Sequence, residues 1–241
     1  HKGHKSLVKR SLKECRKTIV SIFVNPSQFN NKNDYKIYPR NNKRDLSILK
    51  KLKVNFVFLP SKKDIYKSKI RVKKKLSKKD QILCAKFRKG HFEGVIDVME
   101  RLSKLIKPQK IFMGEKDYQQ LFLVKKYVEK KFKTKIIPCK TIRDKRKLAL
   151  SSRNLHLKKS EINNARKIAN NLSLFKKKLN KKINLNELLV LKKKELKKLF
   201  NIKIEYLEIR NKKNLKISKN IKNSNIFIAY YIKKIRLIDN F

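Results

Sequence analysis

The feature that most constrains the fold is an alternation of short apolar runs with helical patterns in residues 1–142. Thr18–Val24 is nearly all apolar and rich in β-branched residues, and Asn25-Pro26 closes it. We expect this run to form a central strand that is buried on both faces. Three further runs are of the same type: Val54–Leu59, Lys110–Met113 and Lys135–Ile137.

Helical spacing separates these runs. Strands that alternate with helices form parallel sheets, and right-handed crossovers bring the loops at the carboxyl ends of the strands together. The sequence therefore predicts an α/β fold, a Rossmann-like parallel sheet flanked by helices. Since His1 leads directly into a helical pattern, we expect the first strand to be missing. The predicted helices are Ser6–Cys15, Lys43–Leu52, Asp80–Phe87, Val95–Ile106 and Gln119–Phe132.

After about Ile142 the pattern changes. Two lysine-rich amphipathic helices precede three strand-like runs, which is typical of a small α+β domain. We therefore predict a Rossmann-like domain over residues 1–142 and a small C-terminal α+β lid domain over residues 143–241. The predicted elements are the helices Glu161–Lys178 and Leu185–Phe200, then the strands Lys203–Ile209, Asn225–Ile232 and Ile235–Asp239.

The net charge of +51, from 69 Lys and Arg against 18 Asp and Glu, would ordinarily indicate a polyanionic partner. Lysine is spread along the whole chain, however, and comes with abundant Ile and Asn and only 4 Gly. Codon drift in an AT-rich genome explains this bias better than a selected nucleic-acid surface. We expect salt-sensitive, nonspecific RNA binding but no specific nucleic-acid partner.

Neither membrane insertion nor metal binding is indicated. The chain has no run of eighteen apolar residues and no secretory signal pattern, so we expect a soluble, cytoplasmic protein without a membrane partner. Cys15, Cys84 and Cys139 lie far apart and form no CxxC or Cys/His pattern. The sequence therefore predicts neither a disulfide framework nor a zinc site.

The chain begins with His1-Lys2-Gly3-His4, at the start of the first predicted helix. Two imidazoles beside free helix N–H groups can donate hydrogen bonds to a phosphate, and Gly3 leaves room for a nucleotide. Such a short pattern also arises by chance, and N-terminal histidines can be remnants of a purification tag.

A second polar segment, Gly114-Glu115-Lys116-Asp117, follows a predicted strand and is itself followed by Gln119 and Gln120. Glycine permits close backbone approach, lysine suits phosphate, and a carboxylate accepts ribose hydroxyls. The segment therefore predicts a nucleotide site. The alternative is a glycine turn with Asp117 as a helix N-cap, and both can hold at once.

Two more segments carry candidate chemistry. Ser151-Ser152-Arg153-Asn154 can wrap the outer phosphates of a nucleotide, or it can be an ordinary polar cap. Asn25-Pro26-Ser27-Gln28-Phe29 closes the first strand, where neutral amides suit a hydroxylated organic acid. A simple Asn-Pro turn is the competing interpretation of the second segment.

Together, in this order, the segments resemble the pantothenate synthetase (pantoate–β-alanine ligase) family of the HIGH-type nucleotidyltransferases. FMGEKDYQQL and SSRN are specific to this family within the superfamily, and a tRNA synthetase would show a KMSKS-like loop instead. The matching stretches span nearly the whole chain: HKGHKSLV, VSIFVNPSQF, Tyr38-Pro39-Arg40, KGHFEGV, FMGEKDYQQL, LALSSRN and RLIDN.

The resemblance implies an ATP-dependent ligase that forms pantoyl adenylate from pantoate, releases pyrophosphate, and then joins the acyl group to β-alanine with release of AMP. It implies Mg²⁺ carried mainly on ATP phosphates, and a homodimer. His4 would be the proton donor, with Lys116, Ser152 and Arg153 as the other catalytic residues, and Gln28 and Gln120 would bind pantoate, with Gln28 also near β-alanine. The implied ATP-binding residues are His1, Gly3, His4, Gly114, Glu115, Lys116, Asp117, Ile142, Leu150, Ser151, Ser152 and Arg153.

The chain departs from the family pattern in two sequence positions and in its first strand. Arg146-Lys147 stands where the family usually has Asp-Gly, and Ile235 replaces a usual glycine. The absent first strand would remove one wall of the adenine pocket. Two other functions compete: a nucleotidyltransferase that activates another small acid or a phosphate ester, and an RNA-binding module. Gln28 and Gln120 argue against a phosphorylated acceptor, and missing aromatic platforms argue against RNA recognition.

Overall fold

Residues 1–29, 35–36, 38–66, 75–179 and 185–241 are described by a computed structural model. The chain divides into two units. We call Lys2–Lys140 the N-terminal unit, and Thr141–Phe241, with which His1 is grouped, the C-terminal unit. Each unit has its own sheets and helices, and the candidate site residues are distributed over both.

The N-terminal unit contains parallel strands. β1 (Ile19–Ser21) pairs with β2 (Phe56–Phe58), and β3 (Lys110–Gly114) pairs with β4 (Lys135–Cys139). Both pairs are parallel, so each needs a crossover connection, and helices supply it. The predicted α/β fold with parallel strands flanked by helices is confirmed. The α-helices bounded within the described residues of this unit are α1 (Lys2–Glu14), α2 (Asn42–Lys51), α3 (Lys62–Ile65), α4 (Leu83–Phe87), α5 (His91–Ile106), α6 (Tyr118–Val124) and α7 (Lys130–Phe132).

The strand β1 is less buried than the sequence predicts. Ile19 is 40% exposed, and its partner Phe56 on β2 is 53% exposed. Within the described residues β1 and β2 form a sheet of two strands. A strand with one hydrogen-bonded neighbour leaves part of its surface open, which accounts for the difference from a central strand.

The helix α5 begins four residues earlier than its apolar spacing predicts, at His91 instead of Val95. Gly90 precedes the helix with φ at 80°, a left-handed conformation that glycine adopts without strain. The added first turn contains His91 and Gly94, and both contact the loop that follows β1. This early start therefore matters for the candidate site.

The predicted helix Gln119–Phe132 is interrupted. α6 passes into a π-helical turn, Lys125–Glu129, before α7. Lys126 and Tyr127, adjacent in this turn, both reach the buried carboxylate of Asp80, with Nζ 2.8 Å and Oη 2.6 Å from Oδ2. The wider turn thus allows two successive side chains to neutralise and hydrogen-bond one buried acid.

The C-terminal unit is an antiparallel sheet with two helices. The strands β5 (Lys203–Asn211), β6 (Ser224–Ile232) and β7 (Ile235–Asn240) form the sheet in that order. The helices α8 (Lys159–Lys178) and α9 (Leu185–Phe200) contribute apolar side chains to one core with the strands. The predicted small C-terminal α+β region is confirmed. Its most buried side chains include Ile168, Leu172, Leu196, Ile209, Ile226 and Ile228.

The cysteines and the helix lengths add two observations. Cys15, Cys84 and Cys139, all within the described residues, form no disulfide, and the last two are buried. Burial raises the pKa of the Cys139 thiol, which keeps it protonated and unreactive at neutral pH. In the part of the chain that the structure describes, no helix combines the length and the apolar character that a membrane span requires.

Candidate active site

The first turn of α1 carries the histidine segment. α1 begins at Lys2, so Gly3 and His4 lie in its first turn and His1 immediately precedes it. The first backbone N–H groups of a helix have no acceptor within the helix and form its positive end. Gly3 uses its carbonyl to accept a hydrogen bond from the Ser6 hydroxyl at 2.7 Å. The turn thus presents backbone donors beside an imidazole, which is a suitable arrangement for an anion.

His4 lies close to the segment that follows β3. Its side chain keeps an exposed surface, yet the protein atoms around the ring lower the pKa of His4 below its usual 6.5, mainly through desolvation. The charge of the N-terminal ammonium lowers this pKa further, that of Asp117 raises it, and that of Lys116 lowers it by a smaller amount. His4 is therefore mainly neutral at pH 7 and offers one N–H donor. The electrostatic coupling also means that His4, Lys116 and Asp117 share one locality.

Lys116 and Asp117 lie in a short 3₁₀ turn at the carboxyl end of β3. Lys116 Nζ is 3.4 Å from Asp117 Oδ1, a loose ion pair whose lysine is 17% exposed and whose aspartate is 48% exposed. Asp117 occupies the N-cap position of α6 but makes no capping hydrogen bond within that described helix. Asp117 is therefore the helix N-cap by position, as predicted, while its half-exposed carboxylate remains accessible to a ligand.

Gly114 immediately precedes this turn, and neither its backbone conformation nor its packing requires a glycine. Its backbone lies in the extended region, with φ at −75° and ψ at 133°, which any residue adopts. No heavy atom of the described structure beyond its chain neighbours lies within 4 Å of the place where a Cβ atom would stand. The open space beside Gly114 suits a ligand that approaches the backbone closely.

The two glutamines after this turn differ in their surroundings. Gln119 is buried, and its Nε2 donates to the carbonyls of Asp80 and Ile82 at 3.3 and 2.7 Å. Gln119 therefore fixes the segment before α4. Gln120, the predicted substrate-binding residue, is half-buried on the next position of α6. Successive residues of a helix point about 100° apart, so the two amides serve different surroundings.

The loop after β1 is held by side chains of other elements. Asn25 is 2% exposed, and its Oδ1 accepts hydrogen bonds from the Ser27 backbone N–H at 3.2 Å and from the Tyr66 hydroxyl at 2.8 Å. Its Nδ2 donates to the Gly94 carbonyl at 3.0 Å. The Asn-Pro turn that competed with a functional interpretation is thus present, and it leads directly to Gln28.

Gln28 itself is held through its backbone carbonyl. His91 Nδ1 is 2.6 Å from this oxygen, and Arg88 Nη2 is 3.3 Å from it. Arg88 Nη1 also lies 2.9 Å from His91 Nε2. None of these contacts uses the Gln28 side-chain amide, so the support fixes the backbone from which that amide projects.

In the C-terminal unit, Ile142 and Leu150 lie at the base of a hairpin. The Leu150 N–H donates to the Ile142 carbonyl at 2.9 Å, and a β-bridge joins Arg143 to Ala149. Arg143 is fixed in turn by Asp239 of β7, which accepts two hydrogen bonds from its guanidinium at 2.7 and 2.8 Å. A bidentate pair of this kind holds the base of the hairpin firmly.

Ser151, Ser152 and Arg153 follow this hairpin. Ser151 caps the 3₁₀ helix Ser152–His156, because its Oγ accepts a hydrogen bond from the Arg153 N–H at 3.3 Å. Asn154 Nδ2 donates to the Ala149 carbonyl at 3.0 Å and ties the helix back to the hairpin. The polar-cap interpretation therefore holds for Ser151. Ser152 and Arg153 are half-buried in the first turn.

The tip of the hairpin explains one departure from the family pattern. Lys147 has φ at 71°, the left-handed region that glycine adopts freely. Its N–H donates to the Asp144 carbonyl at 3.0 Å, which closes a β-turn that ends at Lys147. A lysine is strained at the position where the family usually has glycine. The resemblance shows that lysine replaces glycine here, and the structure shows that this lysine has a strained backbone.

Several supporting residues were missed by sequence reasoning. They hold the segments that carry predicted site residues, and none of them was assigned a role of its own from the sequence. A signal existed for some of them, since His91 lies in KGHFEGV and Asp239 in RLIDN, two stretches that match the family without an assigned role. The missed residues are Tyr66, Arg88, His91, Gly94, Arg143 and Asp239.

The described geometry indicates the general class of protein to which the chain belongs. Parallel strands, a histidine at a helix start and a lysine at the carboxyl end of a strand are typical of α/β enzymes that bind nucleotides. Solved structures narrow the class. The chain is similar to a pantothenate synthetase from Thermus thermophilus, with 30% identity and a TM-score of 0.93 over 100% of this chain and 88% of that one.

The family follows from three further matches. The model of the pantoate-beta-alanine ligase family matches residues 1–241. A pantothenate synthetase of Francisella tularensis subsp. novicida (strain U112) is 41% identical over 100% of this chain and 85% of that protein. A pantoate-beta-alanine ligase from Francisella tularensis, solved in complex with beta-gamma ATP and beta-alanine, has 41% identity and a TM-score of 0.82 over 100% of this chain and 85% of that one. The chain belongs to the pantoate–β-alanine ligase family, as predicted.

Proposed function

We propose that this chain condenses pantoate with β-alanine to form pantothenate, with ATP as the activating substrate. The observation that best supports this proposal is the shared locality of His4, Lys116 and Asp117 beside an unfilled space at Gly114. A phosphate needs donors and positive charge, a ribose needs an acceptor, and both need room. The N-terminal unit supplies all three at the carboxyl end of β3.

In the first step, a carboxylate oxygen of pantoate attacks the α-phosphorus of ATP, and the bond to the β,γ-pyrophosphate breaks. Negative charge develops on the phosphate oxygens, so fixed donors and cations lower the barrier. Lys116 provides a cation with little exposure to water. His4 provides an N–H donor from a neutral ring, because its lowered pKa leaves it mainly unprotonated at pH 7. No protein nucleophile takes part.

We assign the outer phosphates and the adenine to the C-terminal unit. Ser152 and Arg153 would neutralise the departing pyrophosphate, and Ile142 and Leu150 would contact the base and outer phosphates. The hairpin anchored by Arg143 and Asp239 gives this segment a fixed base. In the same scheme His1, Gly3, Glu115 and Ser151 would also contact ATP. The division into domains at residues 142 and 143 is part of this proposal.

In the second step, the amine of β-alanine attacks the acyl carbon of pantoyl adenylate, AMP leaves, and the amide forms. Pantoate carries two hydroxyls, which neutral amides recognise without adding charge to the site. Gln28 and Gln120 would hold pantoate, with Gln28 also near β-alanine. The role of the protein is mainly alignment, which is where intramolecular reactions gain most of their rate.

We propose that Mg²⁺ binds together with ATP, mainly through its phosphates. Among the described residues, no group of three or more His, Cys, Asp or Glu side chains is placed to hold a metal ion. Mg²⁺ commonly binds through substrate phosphates, water and one or two carboxylates, and Glu115 and Asp117 are the carboxylates nearest Lys116 in the turn. When bound, the ion would neutralise phosphate charge. We also propose that the protein is cytoplasmic and forms a homodimer. Light scattering of the purified protein would test the homodimer.

Isotope exchange tests the proposal directly. We expect ATP–pyrophosphate exchange that depends on pantoate, and AMP release only after β-alanine is added. Exchange supported equally by unrelated acids would contradict the substrate assignment and favour a nucleotidyltransferase for another acid. The full chain with ATP, Mg²⁺ and a panel of small hydroxy acids is the assay.

A further inference from the structure

The carbonyl oxygen of Gln28 sits at the meeting point of two basic side chains. His91 Nδ1 lies 2.6 Å from this oxygen and Arg88 Nη2 lies 3.3 Å from it. Arg88 Nη1 lies 2.9 Å from His91 Nε2, so the three residues form a closed ring of contacts. All three belong to the N-terminal unit, and His91 is only 8% exposed.

The contacts fix which nitrogen of His91 carries the proton. A guanidinium can only donate hydrogen bonds, so His91 Nε2 must accept the one from Arg88. The proton of the neutral ring is then on Nδ1, which donates to the Gln28 carbonyl. This arrangement satisfies both ring nitrogens and uses Arg88 to hold the tautomer. A second hydrogen bond from Arg88 to the same carbonyl reinforces it.

The same turn of α5 holds the rest of the loop. A Cβ atom on Gly94 would lie 2.3 Å from the Ser27 carbonyl oxygen, so the helix and the loop backbone are in direct contact. The Gly94 carbonyl accepts a hydrogen bond from Asn25 Nδ2 at 3.0 Å. The first turn of α5 therefore fixes the loop at Asn25, Ser27 and Gln28. The contact with Gln28 is made by His91.

We propose that His91, held by Arg88, is a positioning residue that fixes the Gln28 backbone and so aims the Gln28 amide at the hydroxylated acid. This inference rests on the proposed function, in which Gln28 binds pantoate. His91 itself touches no substrate in this scheme. It acts through Gln28, so its loss weakens binding of the acid and leaves binding of ATP unchanged.

The first test compares two substitutions of His91 by steady-state kinetics. His91→Leu keeps the volume and removes the closer of the two donors, and the KM for pantoate should rise roughly tenfold, as expected when a partly buried carbonyl loses its better hydrogen bond. His91→Asn keeps an amide N–H near the position of Nδ1 and should restore most of the affinity. The KM for ATP should stay within about twofold for both variants, a difference of roughly 0.4 kcal/mol.

The second test asks whether His91 acts through Gln28. Gln28→Ala should raise the KM for pantoate, and adding His91→Leu to that variant should have no further effect. Ile96→Val, a conservative change at a buried position of the same helix, controls for loss of stability and should leave both KM values unchanged. Equal effects of Leu and Asn, or independent effects of His91→Leu and Gln28→Ala, would overturn the proposal.

A readout without substrate separates this proposal from the proposed function. Hydrogen exchange of the backbone amides at residues 25 and 27–29 should be faster in His91→Leu than in the parent and near the parent rate in His91→Asn. If the parent shows no pantoate-dependent exchange of pyrophosphate, the function fails while this result still supports the role of His91. Unchanged amide exchange in His91→Leu overturns the positioning role. Should that variant not fold, Arg88→Met removes the residue that holds the tautomer and must show the same faster exchange.

Discussion

Two polar segments of the N-terminal unit follow parallel strands, and they are held in different ways. Asn25–Gln28 follows β1 and is gripped by Tyr66, Gly94 and His91 from other elements. Gly114–Asp117 follows β3, and its ion pair is a loose one of 3.4 Å beside an open space. The first segment is positioned by the protein before a ligand arrives, whereas the second leaves room for one.

The glycines express the same difference. Gly94 is required by packing, because a side chain there would overlap the Ser27 backbone. Gly114 is not required by packing, since a Cβ atom there would meet nothing in the described structure within 4 Å. A glycine that the fold does not need is a candidate for close approach by a ligand. Substitutions at the two positions should therefore separate stability from binding.

The largest effect is expected at Lys116. Lys116→Ala removes a cation from the open segment and should slow adenylation by roughly a hundredfold or more, the usual cost of losing one donor that stabilises developing charge. Pantoate-dependent ATP–pyrophosphate exchange measures it. Lys125→Ala, a change at an exposed lysine of the same unit, should have almost no effect. A Lys116→Ala variant with the parent rate would remove this residue from the mechanism.

The same variant tests whether the segments truly share one locality. Lys116 lowers the pKa of His4, so its removal should raise that pKa toward the usual 6.5. Asp117 raises the pKa of His4, so Asp117→Asn should lower it. Titration of the His4 ring by NMR distinguishes the two directions. Identical titrations in both variants and the parent would mean that the histidine and the turn after β3 are separate.

The next largest effect is expected at Gly94. Gly94→Ala forces the loop away from α5, because backbone atoms at 2.3 and 2.6 Å cannot yield as a flexible side chain does. We expect a loss of about 1–3 kcal/mol in the free energy of unfolding, measured by urea denaturation, as for other overpacked sites. The KM for pantoate should rise in parallel. Unchanged stability would mean that the loop is not held tightly.

Gly114→Ala is the matched substitution in the open segment. Its backbone suits any residue and its surroundings are empty, so the free energy of unfolding should change by less than about 0.5 kcal/mol. The KM for ATP should rise severalfold because the methyl group occupies space that the nucleotide needs. If ATP binding is unaffected, the nucleotide does not use the space beside Gly114. The proposed difference between the two segments would then be wrong.

The sequence revealed more of the fold than of the contacts that support the site. The alternation of strands and helices is a local pattern, and it predicted the parallel pairs and the small C-terminal α+β region correctly. It failed at the start of α5, because Gly90 and Gly94 have low helix propensity. The reason for Gly94 is a contact with Ser27, which is distant in the chain. A helix start set by such a contact leaves no local pattern.

The candidate site shows the same limit. The residues that face a ligand carry recognisable chemistry in short segments, and the resemblance named them. The residues behind them do not, because Arg88 and His91 act on the backbone carbonyl of Gln28, and a carbonyl has no signature in the sequence. Burial of β1 was overestimated for a related reason, since apolar content does not tell how many neighbours a strand has.

Lys147 extends the comparison to a third glycine position, which this chain fills with lysine. With φ at 71°, Lys147 is strained in the turn that leads toward Ser151. Lys147→Gly should increase the free energy of unfolding by about 1 kcal/mol, because glycine enters the left-handed region without a Cβ clash, although its greater freedom in the unfolded chain reduces the gain. Thermal and urea denaturation measure it. Lys145→Gly, at a neighbouring residue that does not have positive φ, is the control and should be neutral or destabilising. A destabilising Lys147→Gly would mean that the lysine side chain contributes more to the turn than its backbone strain removes.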